Sequence, residues 1–507
     1  MPSPRRTLAR VLVVLVMGGL ALGTLPPVVA GGPPPTVLRT ARLDVAGLLP
    51  AQARASLLPR GGVRAEQPTW TRAVVRCASI RFTMVGVTWR QSGDAVVPVR
   101  LAWGPRGGLD STKVLRADPD EGPDPGSRDD AGISGTMPLW TGEADCLRLR
   151  VRLPAGERLS DLRIAFLNSS GTAEDPSPLA LIGNAMARMW GMVVSAEPAS
   201  ALTTKPAIIT RKQWGADESL RTKNCSGEPS YAKKLKMAHV HHTAGSNAYT
   251  KAEADDVIRG IYSYHVNSRG FCDIAYNFLI DKYGRTYEGR YGGMSKPVIG
   301  GHAMGFNTGS TGIAAMGDFT TKKVPWKMLK AYKQLLAWRL DVAHLKPTGW
   351  TTMVSGGGSN TPHKAGEKVK LKVISGHRDT GYTSCPGDKL YAKLPAIRKA
   401  AKNIGRPKIW NPKEKPKELV AGQDEVRWTA KLSGTLDWSI QVKDDADVVV
   451  RTFTGTGSKI DKTWKGTNAA GLPVPAGDYK VFIEAQNAKG KVARSKKFNL
   501  TVTAPLP

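Results

Sequence analysis

Two groups of metal-type ligands lie far apart in the chain, and they constrain its fold more than any local pattern does. The first is Met237-Ala-His-Val-His-His242, where His239 and His241 share one face of an alternating segment and His242 takes the other. The second is Ser375-Gly-His-Arg-Asp-Thr-Gly-Tyr-Thr-Ser-Cys-Pro-Gly387, with His377 and Cys385 around a turn containing Gly381. Two imidazoles and one thiolate fill three positions around zinc and leave the fourth open for water. A hydrolytic centre is therefore the first expectation, provided that the fold brings His241, His377 and Cys385 together. The alternative is a structural strand histidine beside a surface histidine cluster, and it is the combination with Cys385 that favours the metal.

Cysteine usage bears on this choice. Arg5, Arg6 and Arg10 precede an apolar run from Val11 to Leu25, and Val28-Val-Ala30 is a small-residue cleavage site, so residues 1–30 read as a secretory signal peptide. An uncleaved membrane anchor is the alternative, and either reading exports the remainder of the chain. The chain has five cysteines, an odd number for an oxidising compartment. Cys77 and Cys146 lie in the N-terminal part, and Cys225 and Cys272 flank His241. If these four form two disulfides within their regions, Cys385 is left over, and zinc would protect its thiolate from oxidation. Spacing alone leaves the connectivity open.

The formal net charge is +31, and Lys113 is the only lysine before Lys205. Such a surface attracts polyanions. Nucleic acid is excluded as the partner by the export signal and by the lack of paired cysteine–histidine fingers or RNP-like strands. Anionic cell-envelope polymers fit the compartment, the alternative being that the lysines serve solubility alone.

The pattern divides the chain into segments. Residues 38–200 contain alternating apolar stretches such as Ile80–Trp89 and Leu147–Leu153, which predict a β-sandwich-like domain. Its acidic stretch Asp118, Asp120, Glu121 and Asp124 lacks the ordered spacing of a calcium loop and reads as a solvated loop. Residues 208–405 predict an α/β domain with a central mixed sheet and flanking helices. There Thr250-Lys-Ala-Glu253 is a capping box opening a helix toward His265, and Pro325 opens another that runs to about His344. Ala275–Ile280 and Ile313–Met316 read as strands, and the glycine-rich Ser355–Ser359 as part of a surface insertion. Residues 406–420, with Asn411-Pro-Lys-Glu-Lys-Pro-Lys-Glu418, read as an extended charged linker. Residues 421–507 predict a small immunoglobulin-like β-sandwich.

A zinc hydrolase needs a donor for the developing oxyanion, and Tyr276 and Thr383 are the candidates. Each can instead be a strand aromatic or a turn hydroxyl. Asp379 is a candidate orienter of His377, or a turn cap. His265 would line the cleft or cap its helix.

The residues resemble the zinc-dependent N-acetylmuramoyl-L-alanine amidases related to peptidoglycan recognition proteins and of the phage T7 lysozyme type. The motifs that carry this are Ile209-Thr-Arg-Lys-Gln-Trp-Gly-Ala216, Val240-His-His-Thr-Ala-Gly245, Asp273-Ile-Ala-Tyr-Asn-Phe-Leu-Ile280, Gly312-Ile-Ala-Ala-Met-Gly-Asp-Phe319, Gly376-His-Arg-Asp379 and Cys385-Pro-Gly387. The resemblance spans about 208–405 and implies cleavage of the amide between N-acetylmuramic acid and L-alanine in peptidoglycan. It places the zinc ligands on His241, His377 and Cys385, the catalytic tyrosine on Tyr276, and the peptide groove at His302 and Asn307. Phage-type members carry a lysine two positions before the cysteine; Thr383 stands there, as in the recognition-protein branch, and supplies a donor without a cation. Members that only bind peptidoglycan lack the cysteine. The tail resembles the immunoglobulin-like domain of flagellar hook-capping proteins, through Val449–Gly457, Thr463–Asn468 and Pro473–Tyr479. The whole resembles a secreted actinobacterial amidase, expected to be a monomer that meets the membrane only through its signal segment. The competing readings are a non-catalytic peptidoglycan-binding protein with a structural zinc, and a zinc peptidase cutting inside the stem.

Overall fold

The computed structural model describes residues 35–49, 55–58, 62–91, 93, 95–116, 122–171 and 203–504. The expected signal segment, residues 172–200, and Asp118, Asp120 and Glu121 lie outside them. Among the described residues no helix is long and apolar enough to cross a membrane.

Three long strands organise the N-terminal part: β1 (Val74–Gln91), β2 (Leu139–Leu153) and β3 (Arg158–Asn168). Shorter strands join them in one ten-stranded network, so the β-rich region is a single connected ladder. The first half of β1 tends to alternate between buried and exposed, while from Phe82 to Trp89 it is buried on both faces. Val85, Val87 and Trp89 enter the region's own core, whereas Met84 packs with residues of the next region. A strand covered on both sides loses its polar alternation.

The central sheet contains β4 (Met237–His242), β5 (Phe278–Ile280), β6 (Thr286–Glu288), β7 (Ser310–Ala315) and β8 (Ile374–Gly376). Its order is Ile208–Ile209, β6, β5, β7, β4, β8; β4 is parallel to β7 and β8, while β6 runs antiparallel to β5. Helix α1 (Ala254–Asn267) covers one face, and α2 (Trp326–Val342) with α3 (Leu394–Asn403) covers the other. Alternation sorts the side chains. Val240, Phe278 and Ile313 meet α2 and α3, and Leu279 and Ala314 meet α1. The Thr250–Glu253 box forms reciprocally, although residues 251–253 are a turn and the regular helix starts at Ala254, three residues beyond the expected first position. The strand expected from Ala275 is shorter, which leaves Tyr276 in the segment leading into β5.

Helix α1 is buried nearly all round because β1 and β3 cover the side that a surface helix would expose. Tyr264 donates its hydroxyl toward the carbonyls of Thr136 at 2.8 Å and Val87 at 3.2 Å. The N-terminal sheet and the α/β region therefore share one apolar core through Met84, Met137, Trp140 and Leu167.

The stretch 406–420 differs from the expected linker. Ile409–Lys415 is a strand paired with β9 (Val426–Lys443), and Glu418–Val420 pairs with the last strand, Phe498–Thr503. Ile409 and Trp410 are buried, and a register shift between Trp410 and Lys413 accommodates Pro412. Charge and proline concealed a strand whose inward positions are Ile409, Pro412 and Glu414. The C-terminal sheet has seven strands, and Trp428, Trp464 and Tyr479 are central to its core.

Cys77 bonds to Cys146 and Cys225 to Cys272, leaving Cys385 outside both disulfides. Non-reducing peptide mapping is expected to find these two pairs, with only Cys385 alkylated after unfolding without reductant; any crossed pair would contradict it. A Cβ at Gly86 would lie 2.1 Å from the Tyr264 ring. Gly86→Val is therefore expected to lower unfolding free energy by roughly 1–3 kcal/mol in denaturant titrations. An unchanged midpoint would show that the β1–α1 contact is not formed.

Candidate metal centre

The register of one parallel strand pair creates the site. Val240 of β4 pairs with Gly376 of β8, so His241 and His377 emerge next to each other at the same end of the sheet. Their ring centroids are 4.5 Å apart. Ligand sites in such sheets lie at the carboxyl ends of the strands. After Gly376 the chain makes a 3-10 turn, His377–Asp379, and returns through Cys385, whose carbonyl accepts from Arg378 N at 3.0 Å. Gly387 has φ +82°, and a Cβ there would meet the Phe319 carbonyl carbon at 2.4 Å. Glycine thus lets the backbone press against the sheet, and the His242 N–H donates to Cys385 Sγ at 3.4 Å.

Ligand atoms of His241, His377 and Cys385 lie within 4.8 Å of one another. Cys385 Sγ is 3.7 Å from His241 Nδ1. Tetrahedral zinc bound by nitrogen and sulfur requires donor separations of about 3.3–3.8 Å, which the Cys385–His241 pair already meets. Burial, followed by the neighbouring histidines, holds His241 and His377 well below the ordinary imidazole range, in the neutral form that ligates metals. Nδ1 of His377 is buried with no hydrogen-bond partner. An orphaned donor atom beside a thiol and a second imidazole fits a zinc ion.

His302, expected in the peptide groove, contacts the donor set itself. Its Nδ1 lies 3.1 Å from His241 Nε2, which turns His241 Nδ1 toward Cys385. Asn307 in turn accepts from the His302 and Ala303 amides through Oδ1, at 2.7 and 2.9 Å. His239, His241 and His302 form a second close group. Burial pushes His239 down to about 3, and its Nε2 is 3.2 Å from Thr380 Oγ1, so this group reads as the hydrogen-bonded surround of the first.

Tyr276 lies beside the donors, its ring 5.5 Å from His241, and its hydroxyl is buried with no hydrogen-bond partner. His265 sits behind it, accepting from Ala275 N at 3.2 Å and so holding the backbone one residue before it. Thr383 Oγ1 accepts from Cys385 N at 2.9 Å, which leaves the hydroxyl proton available to donate. Of the two roles open to Asp379, the hydrogen bonds are those of the turn cap. Its carboxylate accepts from Gly376 N at 2.9 Å and from the Tyr391 hydroxyl at 2.5 Å, which fixes the turn. Sequence reasoning missed Tyr332, whose hydroxyl faces the His241 carbonyl at 3.2 Å and the Ile313 carbonyl at 3.1 Å. A tyrosine on α2 carries no local signal that distinguishes it from core.

Residues 231–388 match the N-acetylmuramoyl-L-alanine amidase family, and residues 417–489 match FlgD Ig-like domains. Peptidoglycan-recognition protein SC2 of Drosophila melanogaster is 31% identical over 187 residues, 37% of this chain and 84% of that protein. Peptidoglycan recognition protein 1 of Bos taurus is 31% identical over 191 residues, 36% of this chain and 80% of that one. Among solved structures, Drosophila PGRP-LB matches with 26% identity and TM-score 0.29, covering 38% of this chain and 93% of that one. The sequence matches carry the conclusion: the chain belongs to the amidase type 2 family, which joins the N-acetylmuramoyl-L-alanine amidases and the peptidoglycan-recognition proteins.

Proposed function

We propose that the protein is a secreted, zinc-dependent N-acetylmuramoyl-L-alanine amidase that cleaves the amide between the lactyl group of N-acetylmuramic acid and L-alanine of the peptide stem. The observation that carries this reading is the unpartnered, buried Tyr276 hydroxyl beside three convergent metal donors. A hydroxyl in this position can donate to a group held at the donors. A reaction that develops negative charge on a carbonyl oxygen supplies the missing partner.

His241, His377 and Cys385 would hold the zinc, which supplies Lewis-acid polarisation of the scissile carbonyl. His302 holds the His241 ring, and Asn307 holds His302. Tyr276 donates to the oxyanion as the carbonyl becomes tetrahedral, with His265 fixing the amide of the preceding Ala275. Thr383 offers a second, neutral donor. The basic charge of the middle and C-terminal regions favours contact with an anionic envelope, and the C-terminal sheet would position the enzyme on it. The four cysteines paired in disulfides suit an exported protein.

A second reading has one observation in its favour. His241, His377 and Cys385 are each at most 1% exposed, as in a closed structural zinc site of a peptidoglycan-binding protein.

Digestion of purified peptidoglycan with the zinc-loaded chain separates the two. Mass spectrometry is expected to find stem peptides with free amino-terminal L-alanine. Fragments cut inside the stem would indicate a peptidase, and no release at all would support the binding protein. Tyr276→Phe is expected to lower kcat about 10²–10³-fold with zinc content intact. Cys385→Ala is expected to lose both zinc and cleavage, read by metal analysis alongside the digest. Full activity in Tyr276→Phe would remove the tyrosine from the mechanism.

A further inference from the structure

Residues 122–133 leave the N-terminal sheet and lie against the α/β region, with a series of polar attachments along their length. At one end Asp124 Oδ1 accepts from Asn307 Nδ2 and from Gly305 N, each at 2.8 Å, and the Gly122 carbonyl accepts from Asn307 Nδ2 at 3.1 Å. Near the middle, Asp129 accepts from Cys272 N at 2.6 Å and pairs with Arg290 at 2.5 Å. Arg128 donates to Ser226 Oγ and Ser230 Oγ. Toward the other end, Arg269 Nε donates to the Ile133 carbonyl at 3.1 Å, and a Cβ on Gly270 would lie 2.5 Å from Ala131 Cβ. The close backbone approach at Gly270 would admit no larger residue without displacement.

These attachments reach the donor set through Asn307. Its amide nitrogen holds Asp124 and Gly122, its oxygen holds the His302 backbone, and His302 touches His241. Pro123 lies against Gly301, the residue before His302. Backbone carbonyls and carboxylates on one side, with an asparagine amide, arginines and main-chain N–H groups on the other, are the chemistry by which a groove binds a peptide.

Elsewhere the two regions share an apolar core, with polar links at Lys113, Ser169 and Tyr264 around it. Met84, Met137, Trp140 and Leu167 bury against α1, whereas residues 122–133 are held mainly by hydrogen bonds and ion pairs, with positive-φ glycines at Gly126 and Gly132. Segments attached in this way open locally at lower cost than an apolar core.

We propose that residues 122–133 form an internal cap, occupying the approach to His302 and His241 as a peptide would, and that a peptide-bearing polymer must displace them to reach the donor set. The nature of the displacing ligand rests on the amidase reading; the cap itself does not. The cap accounts for a fully buried donor set in a protein whose proposed substrate is too large to enter a closed interior.

The test compares the full chain with Asp124→Ala/Asp129→Ala, which removes both carboxylate attachments and touches no proposed catalytic group. In excess chelator, the rate at which a thiol reagent labels Cys385 is expected to rise on the order of tenfold or more in the variant, with its thermal transition preserved. Equal labelling rates in two folded proteins would overturn the cap. Should the variant fail to fold, amide hydrogen exchange in the zinc-loaded wild type decides. A saturating soluble muramyl peptide is expected to speed exchange at Gly126 and Asp130, whereas binding with unchanged or slower exchange there would overturn the proposal. The two readings fail separately. Faster labelling without release of stem peptide supports the cap and counts against the amidase, while stem release at equal rates with equal labelling does the reverse.

Discussion

The parallel pairing of β4 with β8 is the constraint on which the site depends. Because Val240 stands opposite Gly376, the residue after each reaches the end of the sheet at the same level, and both are histidines. A one-residue slip would turn His241 to the face occupied by Val240 and His242. That face belongs to the core under α2 and α3, where an imidazole would have neither the thiol nor the second ring. Cys385 then needs only a short return loop, and Gly387 allows that loop to press against the sheet.

Around this pair the surrounding groups act through contacts of the ligands themselves. Tyr332 faces the His241 carbonyl from α2, His302 holds the His241 ring, and His242 donates its amide to the sulfur. Each fixes an orientation that a flexible side chain would otherwise sample. The N-terminal sheet extends the same logic outward: by covering α1 it buries the helix that carries His265, which holds the backbone one residue before Tyr276. The accessory region is therefore part of the fold that supports the site, not an appendage joined by a tether.

The donor residues were legible in the sequence because their chemistry is rare: two histidines and an odd cysteine in a chain whose first thirty residues read as an export signal. The starts of α1 and α2 were legible to within a few residues from the Thr250–Glu253 box and from Pro325. What escaped was non-local. Nothing near His302 indicates that its ring meets His241, and nothing in the acidic stretch indicates that Asp124 will find Asn307, since hydrogen bonds between distant segments leave no periodic trace. The strand Ile409–Lys415 was concealed because prolines and lysines are common to linkers and edge strands, and the register shift interrupts its alternation.

X-ray absorption at the zinc edge of the metal-loaded full chain tests the central claim most directly, because it reads the atoms around the ion without reference to turnover. Convergence of His241, His377 and Cys385 predicts one sulfur near 2.3 Å and two imidazole nitrogens at about 2.0–2.1 Å, with one further light atom. Loss of the sulfur shell is predicted in Cys385→Ala. A shell of nitrogen and oxygen only in the unmodified protein, or a sulfur shell that survives Cys385→Ala, would contradict the account.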